Sequence, residues 1–149
     1  MRLRFLALLS GACAIATLAA CNDDDLNLVA PFEFPGSFFV ETANGRLLPA
    51  LITDQGNQLR VELIAGRITL RANGSFEDVL EYRDNRGGVI TTRGLSCSGA
   101  YTTSGNSITF IETGIGACNQ RFNGTLDGNT MRVTVRGLDL VLLRGLLDD

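Results

Sequence analysis

A chain of 149 residues with 45% apolar side chains has room for one domain with a core of its own, and 17 glycines against 3 prolines argue for many tight turns. That balance excludes a collagen-like or disordered polymer. Its 13 basic residues are all Arg, set among acidic neighbours such as Glu62 near Arg60 and Asp84 beside Arg83, so no basic stripe could follow a phosphate backbone, which argues against nucleic acid as a partner.

The first 20 residues carry a short basic start at Arg2 and Arg4, an apolar stretch over residues 5–18, and then Leu18-Ala19-Ala20-Cys21. The stretch is shorter than the roughly 20 residues that cross a bilayer comfortably. It reads as a signal peptide, and the small residues before Cys21 resemble a lipobox, the processing site of bacterial lipoproteins. The resemblance implies cleavage between Ala20 and Cys21, a thioether diacylglycerol on Cys21 and a further acyl chain on the new amino terminus. Two or more chains hold a protein stably on a membrane. The implied location is the cell envelope, facing the periplasm or the exterior, on the outer membrane in a Gram-negative cell. Loss of Arg2 and Arg4 with the leader takes the formal charge from −3 to −5, leaving a mildly acidic domain.

On this reading Cys13 leaves with the leader and Cys21 is taken by lipid, so Cys97 and Cys118 remain. In an oxidising envelope compartment such a pair is expected as a disulfide. No His is present and no C-x-x-C spacing occurs, which argues against a metal site or a redox dithiol and predicts no cofactor.

Residues 21–35 open with Asn22-Asp23-Asp24-Asp25 and include Pro31 and Pro35, the composition of a solvated acidic tether. Residues 36–149 form the predicted domain. There, short alternating runs are separated by turn signals, the pattern of an antiparallel sandwich or barrel, and about eight or nine strands are expected. Leu59, Val61 and Leu63 share one face of a run expected to turn at Gly66. Arg67-Ile68-Thr69-Leu70-Arg71-Ala72 leads through Asn73-Gly74 into Ser75-Phe76-Glu77-Asp78-Val79-Leu80-Glu81-Tyr82, where Asn-Gly predicts a type I′ turn. Ile108 and Phe110 follow Ser104-Gly105-Asn106. Met131, Val133 and Val135 follow Asp127-Gly128-Asn129, and Leu138, Leu140 and Leu142 form the last run. The opposite faces carry Arg60, Glu62, Arg67, Thr69, Arg71, Glu77, Glu81, Arg132, Thr134 and Arg136, all expected outward in cross-strand pairs. A membrane-spanning barrel would need an apolar outer band instead.

The order of signals across Gly36-Ser37-Phe38, Asn44-Gly45 before Leu47-Leu48-Pro49, residues 66–76, Gly99-Ala100-Tyr101 and residues 123–129 resembles the small lipocalin-like domains of bacterial envelope lipoproteins. The resemblance implies an all-β, up-and-down antiparallel barrel. Where lipocalins have G-x-W this chain has Gly36-Ser37-Phe38, and it contains no Trp, so ligand binding does not carry over with the fold.

Catalytic chemistry finds little to work with: His, the commonest base, is missing, and no nucleophile is organised. No catalytic residue is assigned and the expected function is non-enzymatic. Asp78 and Glu112 are the two carboxylates whose strand parity would point them inward, and a bulge or strand end is the ordinary way to turn such groups out again. The glycine-rich stretch 114–118 reads as a loop pinned by the disulfide. Two functions stay open. One is a barrel that takes a small hydrophobic ligand, with Phe38, Leu63, Leu70, Phe76, Leu80, Tyr82, Phe110, Val133 and Leu140 as candidate lining. The other is a scaffold that contacts an envelope protein through an outer face or the disulfide loop. An apolar cavity of about 300 Å³ or more favours the first, and a filled interior the second.

Overall fold

The computed structural model describes residues 34–56 and 58–145; the leader, Cys21 and most of the expected tether lie outside the described residues. Ten strands follow one another: β1 (Gly36–Ala43), β2 (Arg46–Leu47), β3 (Ala50–Asp54), β4 (Arg60–Leu70), β5 (Ser75–Arg86), β6 (Val89–Ser104), β7 (Ser107–Glu112), β8 (Arg121–Asp127), β9 (Thr130–Val135) and β10 (Leu138–Arg144). β4 to β10 pair in sequence, β10 returns to β1, and β1 closes on β4, giving an eight-stranded antiparallel up-and-down barrel with β2 and β3 as additions. Fold class and connectivity are those the sequence predicts.

Closure depends on two strands that change partners. β4 holds β3 with residues 60–63 and β1 with residues 67–70, and its register against β5 shifts between Leu63 and Ala65. β1 does the same, passing from β4 to β2 across a shift between Val40 and Thr42 in its pairing with β10. An extra residue bends a strand and tightens its twist, and here the bends let one strand serve two neighbours. Gly66 lies inside β4 rather than at the expected turn. A Cβ there would stand 2.6 Å from Val40 Cγ2 and 2.9 Å from Leu80 Cδ2, so its glycine serves a close approach.

Asn73-Gly74 does make a hairpin, but not the expected type I′ turn. Only Gly74 has a positive φ, Gly74 N donates to Arg71 O, and Arg71 N donates to Ser75 O, so the loop has three residues with glycine in the left-handed position. The Asn73 side chain is spent on accepting from Ser75 N and Ser75 Oγ. True consecutive positive φ values occur at Asn44-Gly45, Gly87-Gly88 and Arg136-Gly137.

Strand direction sorts the connections to two ends. The entry end has Gly36, the loops at 72–74, 105–106 and 128–129, and the last described residue, Gly145. At the other, the loop end, lie 44–45, 87–88, 113–120 and 136–137. The period-2 alternation buries Phe76, Leu80 and Tyr82 from β5, Met131, Val133 and Val135 from β9, and Leu138, Leu140 and Leu142 from β10. Phe76, Phe110 and Phe122 meet at the centre, with Phe110 stacked on Phe122 at 4.5 Å and Phe76 edge-on to both. Such ring pairs are worth about 0.5–1.5 kcal/mol each beyond the area they bury.

Candidate functional site: a buried ion cluster under the disulfide loop

All nine candidate lining residues, from Phe38 through Leu140, are buried in one continuous core. They fill the interior. Four concavities take their walls mainly from outward-facing residues and hairpin tips. The broadest, about 820 Å³, is an open groove over Gly124 edged by Thr109, Asn123, Arg132, Thr134 and Asp139. Its rim is already bonded to itself, through Thr109 with Asn123 and Thr134 with Asp139.

Polar chemistry concentrates inside, toward the loop end. Strand parity carries Asp78 inward between Phe76 and Leu80, and no register shift of β5 intervenes to turn it out. Glu112 ends β7 on the same side as Ile108 and Phe110, and both carboxylates are almost completely buried, with exposures of 1% and 3%. Neither the bulge nor the outward turn expected for them occurs, because a cation comes to meet them. That cation is Arg136, which the alternation of β9 would place outward. β9 in fact stops at Val135, and Arg136 takes the first position of a two-residue turn at φ +53°. A side chain in the left-handed region costs about 1–2 kcal/mol. Here it aims the guanidinium into the barrel.

Arg136 Nη1 donates to Asp78 Oδ2 at 2.8 Å, and Nη2 donates to Glu112 Oε1 and to the Cys97 sulfur, the latter at 2.9 Å. Gln120 N donates to Glu112 Oε2 at 3.0 Å, tying the disulfide loop to the cluster. Cys97, buried on β6, is bonded to Cys118, the last residue of a single 3₁₀ turn at Gly116–Cys118. Asp78 Oδ1 and Arg136 Nε have no protein partner.

One guanidinium cannot neutralise two carboxylates, and the shortfall falls on Asp78. Removal from water, opposed by Arg136 and reinforced by the charge of Glu112, pushes its carboxyl up from 3.8 to about 6. Tyr82, two turns of the pleat along β5, is pushed up as well, by burial, and lies under the Arg93 guanidinium at 4.4 Å. Outside the barrel the pattern reverses. Hydrogen bonding from Arg83, with the nearby charge of Arg60, holds the Glu62 carboxyl below its usual range.

Asp78, Cys97 and Glu112 place a carboxylate, a sulfur and a second carboxylate within 4.8 Å of one another, the spacing of a metal site. The donor set does not fit one. The sulfur belongs to a disulfide rather than a thiolate, and a guanidinium already occupies the space between the oxygens. The same guanidinium stands between the two carboxylates, and none of the four concavities described takes a wall from Asp78, Glu112 or Arg136.

The sequence pointed to two members of this cluster and missed the third. Arg136-Gly137 stands between Val135 and Leu138, two apolar runs separated by two residues, and that spacing marks a hairpin turn. No local signal says which way an arginine in such a turn points. No protein-family model matches the chain, and no curated protein is detectably similar to it.

Proposed function

We propose that this chain is a lipid-anchored cell-envelope protein whose barrel is a non-enzymatic scaffold for contact with another envelope protein. The packed interior carries the reading. A hydrophobic ligand needs an apolar volume of about 300 Å³ or more, whereas the candidate lining side chains are packed on one another and on the aromatic cluster. The open groove outside mixes Thr, Asn, Arg and Asp with Ile108, Val133, Leu140 and Val141, and lies on the outer wall rather than in the barrel interior.

The anchored half rests on Leu18-Ala19-Ala20-Cys21 and on a disulfide of the kind an oxidising compartment permits. Polarity of the barrel fits it. The chain from Cys21 enters at Gly36, and the disulfide loop stands at the opposite end with Ile115 91% exposed at its tip. A large apolar side chain held out on a covalently closed loop is a natural contact point.

Native mass spectrometry of the chain purified from its own host tests the scaffold. A co-purifying protein that is lost on Ile115→Asp, with no small molecule retained, is the expected result. A retained hydrophobic molecule would overturn it. For the anchor, Cys21→Ser is expected to abolish lipid labelling and release the chain from membranes; unchanged fractionation and labelling would defeat that half.

A further inference from the structure

β6 is sixteen residues long, and β7 covers only part of it. Residues 99–104 pair with β7 on one side and, at their start, with β5 on the other; residues 89–98 pair with β5 alone, in unbroken register. Bond parity follows from one contact. Tyr101 N donates to Gly74 O, so odd-numbered residues of β6 turn their amides and carbonyls toward β5 and even-numbered ones turn theirs away. The far side agrees. Thr113 N donates to Ser98 O, and the Cys118 sulfur rests 3.4 Å from Ser96 O, so the disulfide loop covers the edge down to Ser96. Among the described residues nothing covers the outward amides and carbonyls of Ile90, Thr92 and Gly94, and residues 89–94 are all exposed.

Proteins commonly blunt such an edge with Pro, Lys, a bulge or a covering segment. Residues 89–94 have no Pro, Lys, bulge or covering segment, and their one charge, Arg93, is held by Asp84 and stacked over Tyr82, while Val-Ile-Thr-Thr is a run of strong β-formers. We propose that this edge pairs antiparallel with the same edge of a second copy of the chain, about a two-fold axis at Thr92. In that register Ile90 lies opposite the partner's Gly94, Thr92 opposite the partner's Thr92, and every free amide and carbonyl of the three residues meets a free counterpart.

The side chains agree with the register. Even-numbered residues face the outer wall, where Ile90, 62% exposed, would cover the open space at the partner's Gly94; a Cβ at Gly94 meets nothing within 4 Å. On the other face Arg93, held by Asp84 and stacked over Tyr82, would sit across from the partner's Thr91, so no unpaired like charges oppose one another. Centring the axis on Gly94 instead would set Ile90 against the partner's Ser98, whose carbonyl Thr113 already occupies. The loop thus excludes a register shifted toward Ser98.

Cysteine cross-linking of the full chain in intact cells treated with a membrane-permeant thiol oxidant tests the proposal, and it does not depend on the compartment, the anchor or any envelope partner. Directly bonded antiparallel residues have Cα atoms about 5.5 Å apart, inside the roughly 4.4–6.8 Å of a disulfide. Thr92→Cys is expected to give a non-reduced band at twice the chain mass, and Ile90→Cys to stay monomeric, with all other thiols common to both. Thr92→Pro, which removes an outward amide and no bond to β5, is expected to turn a sedimenting dimer into a monomer that keeps the β-sheet circular dichroism of the wild type and unfolds cooperatively at a midpoint independent of protein concentration. No cross-link, equal cross-links at both positions, or a band matching a different protein would overturn the pairing with a second copy.

Discussion

The aromatic cluster and the ion cluster share two strands: β5 supplies Phe76 to one and, two residues on, Asp78 to the other, while β7 supplies Phe110 and then Glu112. The same pleat therefore brings both sets inward. What differs is how each is completed. The rings need only each other and Phe122 from the next strand, and their burial is favourable at every step of assembly. Carboxylates in the same positions are costly until Arg136 arrives from the turn between β9 and β10, nearly at the end of the chain. An apolar core can be built piecemeal; a buried ion cluster stabilises only when whole.

The largest expected effect uses that difference. Arg136→Leu strands two carboxylates and should cost about 3–5 kcal/mol at neutral pH. Phe110→Ala opens the aromatic cluster at a similar cost of about 3–5 kcal/mol. Urea unfolding at two pH values separates them. Near pH 4.5 Asp78 carries its proton in the folded barrel, so the Arg136→Leu loss should shrink while the Phe110→Ala loss stays constant. Equal losses for Arg136→Leu at both pH values would erase the distinction between the clusters.

A smaller effect isolates Asp78. Its folded value, about 6, lies above the ordinary 3.8, so the folded state binds more protons than the unfolded chain between those values. The contribution is fully present below pH 3.8 and is lost as pH rises through about 6, a swing of about 3 kcal/mol. Asp78→Asn should remove that slope. The measurement is the difference in unfolding free energy between wild type and variant from pH 4 to pH 7, which cancels opposing carboxylates such as Glu62. A pH-independent difference would mean that burial leaves the Asp78 carboxyl titrating as it does in the unfolded chain.

Legibility in the sequence follows the same division. Phe76, Leu80, Phe110, Val133 and Leu140 are readable as core because each repeats a local period of two, and parity alone also points Asp78 and Glu112 inward. Whether parity survives depends on bulges, and of the three register shifts among the described residues, at Val40/Thr42, Leu51/Thr53 and Leu63/Ala65, the first and last sit where partner exchange around the closed barrel, not local composition, decides them. The direction of Arg136 is likewise a tertiary fact, since its partners are 58 and 24 residues away. Val89-Ile90-Thr91-Thr92 after Gly87-Gly88 carries strand-forming residues, but nothing local marks its bare edge, because openness depends on where β7 ends.

The smallest effect belongs to the outer wall. Arg71 and Glu77 form an ion pair at 3.3 Å, with both side chains substantially exposed, across the β4–β5 hairpin. Water screens such a pair and the side chains lose freedom in forming it, so Arg71→Ala should cost about 0.5 kcal/mol or less. The bonds of the Arg71 backbone to Ser75, Gly74 and the Tyr101 hydroxyl remain in the alanine variant, so the change reports the guanidinium alone. Urea unfolding in low and high salt checks it: the small loss should vanish as salt rises. A loss approaching that of Arg136→Leu would mean that an arginine's worth here is set by the hairpin it belongs to. The near-complete burial of Asp78 and Glu112, against the wet surroundings of Glu77, makes burial the deciding variable.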